Sequence, residues 1–356
     1  MKRAFLFYIA LFLFIFSVST NVNNFDFDLW ARLIAGMGVI DGGHVLTQDF
    51  LSYTPVHTWW DHEWGSGVIF YFFLKYLGPY SLIILQAILL CALFFTTSRI
   101  IKIRSDETPY NIVFYIFAFM SIISNLNNPV RCHLFSFLFF TIFIYIFEKA
   151  RRGNNKFLYL VPIIVLFWNN IHGGIVSGLG LCLMYAVGEF LNRKPFKKYL
   201  ITLAACLPIL FINPWGYDYV KFILMATTMK RPLITEWANI FSQYNLLKFI
   251  LFKIMLVIML FVEGIFITKS VKEYGKEFYK HLDKTKYIII LTTTYLAVSH
   301  IKMMPFFTIA TLCFIYEDFY RLIMPMKFPA WKDGLIYTLI GLLALVNFAM
   351  KDISLP

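Results

Sequence analysis

Two carboxylates one residue apart, Asp26 and Asp28, open the stretch "NNFDFDLWARLIAGMGVI". Such a pair can take a proton from an attacking hydroxyl as a general base, or hold a divalent cation through oxygen ligands. Phe25 and Phe27 alternate with the acids, so on an extended segment both carboxylates point to one side. At the start of a helix, Asp28 would instead be an N-cap. A second cluster, "WWDHEW", holds Trp60, Asp61, His62 and Glu63. It reads as a lid or acceptor-binding segment, or as an aromatic belt with solvated neighbours. "NNPVRCH" supplies Arg131 and His133, and "SHIKMMP" supplies His300 and Lys302. Arginine offers a fixed fork of donors to phosphate oxygens; the plainer reading of each cation is a side chain snorkelling at a span end. "FWNNIHGG" adds Asn169, Asn170 and His172. Polar groups at membrane depth are costly unless they face a cavity or form an interhelical hydrogen-bond knot. "ITEWANIF" contributes Glu236, for which Lys230 or Arg231 would be structural partners.

These residues sit in a chain that is 60% hydrophobic and 19% aromatic but only 15% charged over 356 residues. Soluble domains run nearer 25% charged. With a mean hydropathy of +0.69, an all-α integral membrane protein is expected. A spanning helix needs roughly 20 apolar residues. Apolar segments fall near 4–20, 67–98, 110–125, 133–148, 157–169, 174–191, 199–212, 246–268, 287–300, 304–320 and 334–350. That makes about eleven transmembrane helices, some short enough to tilt or fuse. The segment 67–98 is too long for one span, and Gly78-Pro79 divides it. The first segment follows "MKR" and ends in "SVS", like a signal peptide; the many spans after it favour an uncleaved anchor. No linker, repeat or low-complexity tract breaks the chain, so residues 1–356 read as a single multi-span domain. Its first outer loop is 21–66. Within that loop Leu29, Trp30, Leu33, Ile34, Met37 and Ile40 share one helical face, with Arg32 off it. This predicts an amphipathic helix lying in the membrane interface. Five cysteines without metal-like spacing read as packing residues.

The net charge of +12 is unevenly placed. Lys2/Arg3, Arg99/Lys102/Arg104, Lys149/Arg151/Arg152/Lys156, Arg193/Lys194/Lys197/Lys198, the Lys-rich 269–286 and Arg321/Lys327/Lys332 occupy alternate connectors. The positive-inside rule makes these cytoplasmic, where they read as solvated basic loops, and puts the N-terminus inside. The charge is thereby explained without nucleic acid as a partner. The chemistry-bearing residues all fall in the opposite connectors, on the extracytoplasmic side of a cytoplasmic (inner) membrane.

The stretch "FDFDLWARLIAGMGVIDGGHVLTQDFLSYTPVHTWWDHEWGS", with the later "FWNNIHGG", "INPWGY" and "TEW", resembles a bacterial group placed in the GT-C superfamily of integral-membrane glycosyltransferases. The likeness extends weakly over most of the chain; its most specific part is the first outer loop. The resemblance implies transfer of a sugar from a polyprenyl-phosphate or polyprenyl-diphosphate donor to a glycan, lipid or protein acceptor outside the cytoplasm. It also implies that an aspartate of the first outer loop is catalytic or lies near a metal. Asp28 in "DLW" is the best-matching position, and Asp26 completes a D-x-D that could hold magnesium or manganese.

On this reading Asp28 and Asp26 are catalytic. Arg131, His133, His300 and Lys302 bind the donor phosphate. Trp60, Asp61, His62, Glu63, Asn169, Asn170, His172 and Glu236 line a substrate cavity. Two other classes stay open. A polytopic transporter or lipid flippase would want ionisable groups near mid-membrane and often an internal repeat. An O-antigen-ligase-like or polymerase-like enzyme would lean on a large late outer loop.

Overall fold

The computed structural model describes residues 2–19, 27–49, 53, 59–105, 109–126, 129–242, 245 and 248–323. Asp26, the apolar segment 334–350, Lys327 and Lys332 lie outside the described residues. All regular structure among the described residues is helical. The helices are α1 (Lys2–Ser19), α2 (Phe27–Ile40), α3 (Trp64–Leu77), α4 (Tyr80–Ser105), α5 (Ile112–Ser121), α6 (His133–Arg151), α7 (Leu160–Ile171), α8 (Ile175–Leu191), α9 (Lys197–Cys206), α10 (Tyr217–Thr228), α11 (Ile250–Tyr274), α12 (Phe278–His281), α13 (Lys284–Ser299), α14 (Met304–Phe314) and α15 (Tyr316–Ile323).

Three helical stretches, Tyr80–Ser105, His133–Arg151 and Ile250–His281, are long and apolar enough to cross a membrane. Shorter apolar helices accompany them, including Ala4–Ser19, Val113–Leu126 and Ile175–Leu191. The outward faces are apolar as well. On α11, Val257, Leu260 and Phe261 are all exposed, which suits lipid rather than water. Helix α14 is covered on every side: each residue from Met304 to Phe314 is buried. A helix apolar all round belongs at the centre of a bundle. Around α14 pack α13, α4, α6, α5 and α11, and α8 packs on both α6 and α13.

The predicted division at Gly78-Pro79 is present. Gly78 ends α3 with φ +80° and donates its N–H to Leu74 O; Pro79 then precedes α4. Helix α2 lies against α3 through glycines. A Cβ on Gly36 would meet Gly67 O at 2.1 Å, and one on Gly67 would meet Arg32 O at 2.4 Å. Only hydrogen at these positions lets the two backbones approach so closely.

The predicted polarity of α2 needs correction. Its buried residues are Leu29, Arg32, Leu33, Ala35 and Gly36, while Trp30 and Met37 are exposed. Arg32 therefore faces inward. The reason is a tertiary one: Asp61 and Glu63 arrive from the α2–α3 connector and need a cation.

A second correction concerns the basic connectors. Arg104 and Arg151 are not solvated. At the end of the bundle formed by the C-termini of α4, α6 and α8 and the start of α13, Arg151 meets Glu148 at 3.1 Å, Glu189 at 3.0 Å and Asp283 at 2.8 Å. Arg104 meets Glu148 at 3.3 Å and lies 3.9 Å from Glu317. Lys286 pairs with Glu263 at 2.7 Å and also with Asp318. These pairs clamp the bundle at the end away from the candidate site.

Candidate functional site

The N-termini of α6 and α14 converge at one end of the bundle. Between them is a cavity of about 150 Å³ lined by Arg131, His133, Glu236, Asn125, Lys302 and Pro305, among others. Helix N-termini carry partial positive charge, which favours an anion. The first-turn N–H groups here are engaged: Leu134 N donates to Arg131 O at 3.2 Å, Phe135 N to Cys132 O at 3.1 Å and Met304 N to Ile301 O, and Pro305 has none. Arg131 and Lys302 add full charges at the same place.

Arg131 donates to Glu236 Oε1 at 2.7 Å and lies 3.3 Å from Asp28 Oδ2. One guanidinium thus gathers a carboxylate from the start of α2 and another from the "TEW" turn. This replaces the expected partners of Glu236. Arg231 instead donates to Ala226 O at 2.8 Å and lies over the Trp237 ring at 4.6 Å. Asp28 is the second residue of α2 and not its cap, and its carboxylate remains largely exposed.

The turn that carries Glu236 is held against the cavity wall. Ile301 N donates to Ala238 O at 3.2 Å, and Ile240 N to Val298 O at 3.0 Å. His300 lies 3.0 Å from Trp237 O through Nδ1 and 5.1 Å from the Trp237 ring. Its place is thus a brace for this turn. Lys302 lines the cavity with its Nζ 6.0 Å from the Trp237 ring.

Behind the cavity is a buried polar cluster. The His133 and His172 rings lie 4.5 Å apart. Trp168 Nε1 donates to Ser136 Oγ at 2.7 Å. The Ser136 hydroxyl is then left to donate to His172 Nδ1, 2.6 Å away. The Gly174 N–H reaches the same Nδ1 at 3.1 Å. Two donors on Nδ1 put the histidine's proton on Nε2, which faces Glu63 Oε1 at 3.4 Å. Burial, with His62, Lys302 and Arg32 nearby, pushes the His172 pKa down to about 4, against the pull of Glu63.

Burial works to raise the Glu63 carboxyl. The groups around it, His62 first and then His172, Arg32 and His133, outweigh that and hold it below the usual carboxylate range. His62 Nε2 lies 3.4 Å from Glu63 Oε1, and the Arg32 Nε lies 3.6 Å from Glu63 Oε2. Arg32 also binds Asp61, which in turn accepts the Glu63 N–H at 3.1 Å.

The remaining expected residues fall outside the cavity wall. Trp60 and His62 pack on Phe222 at 6.0 and 5.0 Å. Asp61 is buried and held by Arg32, so it supports rather than lines the site. Asn169 donates to Leu210 O at 3.3 Å. Asn170 accepts from Trp64 Nε1 at 3.1 Å and donates to Ile212 O at 3.0 Å. These two asparagines form the interhelical knot, tying α7 to α3 and to the stretch before α10. Sequence reasoning passed over Arg32 and Ser136. For Arg32 a signal existed: two acids in "DHE" demand a cation. For Ser136, inside an apolar helix, there was none.

The donor sets bear on a metal. Cys132, His133 and His172 bring ligand atoms within 4.8 Å of one another. His172 Nδ1 is already engaged by the Ser136 hydroxyl at 2.6 Å and the Gly174 N–H at 3.1 Å. Asp28 and Glu236 are both turned to Arg131, which is not the oxygen cage of a hard dication. Asp26, the other half of the D-x-D, lies outside the described residues.

Fold and site together define a helical protein, three of whose helical stretches are long and apolar enough to cross a membrane, with a charged cavity at one end of its bundle. No known protein-family pattern matches the chain, and no curated protein matches it.

Proposed function

We propose that the chain is a GT-C-type glycosyltransferase acting at the extracytoplasmic face of a bacterial inner membrane through about eleven spans. Its donor would be a polyprenyl-(di)phosphate sugar and its acceptor a hydroxyl. The observation that carries this reading is the cavity itself, where two helix N-termini, Arg131 and Lys302 meet beside the carboxylates of Asp28 and Glu236. The first set suits a phosphate and the second a proton.

The reaction is a single displacement. The acceptor oxygen attacks C1 of the sugar and gives its proton to a carboxylate. The C1–O bond to phosphate breaks, and its electron pair stays on the phosphate oxygen. Arg131 and Lys302 stabilise that growing charge. On entering, the donor phosphate competes for the Arg131 guanidinium and leaves Asp28 free to act as base. Attack opposite the leaving group inverts the anomeric centre.

Asp28→Asn tests the reading. The ion pair it removes is exposed, so stability should change by less than about 1 kcal/mol. Transfer should fall roughly 10²–10⁴-fold, the contribution of a general base. Transfer from a polyprenyl-phosphate sugar and thermal melting are measured on one preparation. Near-normal transfer by Asp28→Asn would sink this assignment, and Glu236→Gln in parallel would show whether the second carboxylate is the base.

A further inference from the structure

The end of the bundle opposite the candidate site carries a second cavity, of about 320 Å³, lined by Arg99, Lys102, Ile103, Lys149, Arg152 and Asn154. Two cations come from the last turns of α4 and two from the end of α6. In each pair the spacing is three residues, so both members share a helical face. Arg152 donates to Arg104 O at 3.0 Å, which joins the two helices beneath the cavity.

The usual reason for cations here is the negative end of each helix dipole and the need to snorkel. That reason spreads cations outward singly; it does not gather four around one concavity, where they repel. The neighbouring arginines show the contrast. Arg104 and Arg151, close by in the sequence, turn inward and share Glu148, Glu189, Asp283 and Glu317. Among the described residues no carboxylate lines the cavity itself. Asp106 and Glu107, which follow α4, lie outside the described residues.

We infer that the cleft between the ends of α4 and α6 is a binding site for the phosphate headgroup of an anionic phospholipid, held by Arg99, Lys102, Lys149 and Arg152. A lipid is favoured over a soluble anion because the cleft sits at the ends of the two helices Tyr80–Ser105 and His133–Arg151, both long enough to cross a membrane. Basic pockets between membrane helices are where headgroups bind. The lipid would also fasten α4 to α6. Assigning the cleft to the inner leaflet rests on the orientation proposed above; the binding does not.

The test uses the full chain in neutral detergent, with phosphatidylglycerol and phosphatidylcholine as probes and lipid retention read by native mass spectrometry. Wild type should retain phosphatidylglycerol selectively. Each cation near a headgroup is worth about fivefold in binding, so Arg99→Gln/Lys102→Gln/Lys149→Gln should lose retention by about a hundredfold. The single change Arg99→Gln, at an exposed position, should lose about fivefold with unchanged melting, which guards against misfolding of the triple variant. Lys269→Gln/Lys272→Gln/Lys276→Gln removes the same charge elsewhere and should retain the lipid. Equal loss in that control, or full retention by both cleft variants, overturns the inference. Displacement of the lipid by excess inorganic phosphate would make this a site for free anions and would overturn it too. Glycosyl transfer is not part of the readout, so the two proposals fail independently.

Discussion

Arg131 is the residue on which the candidate site turns. It holds Glu236 and faces Asp28, and both carboxylates are partly exposed. Arg131→Ala therefore leaves them to water rather than buried, and folding should change little. Without the guanidinium, the proposed donor's phosphate would have one charge-assisted hydrogen bond fewer, which should weaken its binding by about 1.5–3 kcal/mol. Equal binding of a polyprenyl phosphate by wild type and variant would reduce Arg131 to a surface brace. His172 makes a different prediction. Its pKa is about 4 in the fold against 6.5 unfolded. Between those values the unfolded chain binds the proton and the folded one does not, so stability falls as pH falls. The contribution is complete above about pH 6.5 and lost by about pH 4, up to roughly 3 kcal/mol. His172→Gln should flatten that part of a melting-versus-pH curve; an unchanged slope would mean that His172 charges freely in the fold. The types at these positions were legible in the sequence, as was their shared end of the molecule. The pairing was not: Arg131 and Glu236 are separated by 105 residues, and only folding decides that Glu236 takes Arg131 rather than its neighbour Arg231.

Among the elements, α2 and α3 act as one unit because two glycines let them touch. A methyl on Gly36 would strike the Gly67 carbonyl and the Tyr71 Cβ. Backbone cannot move aside as a side-chain tip can, so α2 would lift from α3. Gly36→Ala should cost about 1–3 kcal/mol. It should also reduce transfer, since Asp28 rides on α2. Gly180 and Gly264 are the controls, because a Cβ there meets nothing within 4 Å; Ala at either should be neutral or stabilise by about 0.5–1 kcal/mol. Equal melting of Gly36→Ala and the controls would show that α2 is loosely attached. The break at Gly78-Pro79 and the existence of α2 could be read locally, since Gly, Pro and apolar spacing act within a turn or two. The inward face of α2 could not. Apolar spacing marks one stripe, but the buried stripe is set by close backbone approach and by the carboxylates that Arg32 must neutralise. In a membrane the outward face is apolar too, so hydrophobicity alone does not choose between them.

At the scale of the whole molecule, charge is arranged in two opposed ends. One end gathers Arg131, Lys302, Asp28 and Glu236 around the cavity; the other gathers the Arg104 and Arg151 network and the basic cleft beside it. The alternating connectors predicted this division, although the tally of Lys and Arg could not show which cations are solvated and which are clamped inside. If the basic end is cytoplasmic, the candidate site faces outward, where a lipid-linked donor would be used. The four cysteines Cys132, Cys182, Cys206 and Cys313 are buried and Cys91 is half-buried, so native thiols should react slowly and a cysteine-free background is practical. Leu233, almost fully exposed beside the Glu236 turn, and Lys276, exposed beyond α11, are suitable probe positions. On intact cells, a membrane-impermeant maleimide should label Leu233→Cys and spare Lys276→Cys until the membrane is opened. The positive-inside bias makes this the expected sense. The reverse pattern would put the cavity in the cytoplasm and end the extracytoplasmic transferase reading. The phospholipid cleft would survive that result with its leaflet exchanged, because its basis is the convergence of four cations and not the side they face.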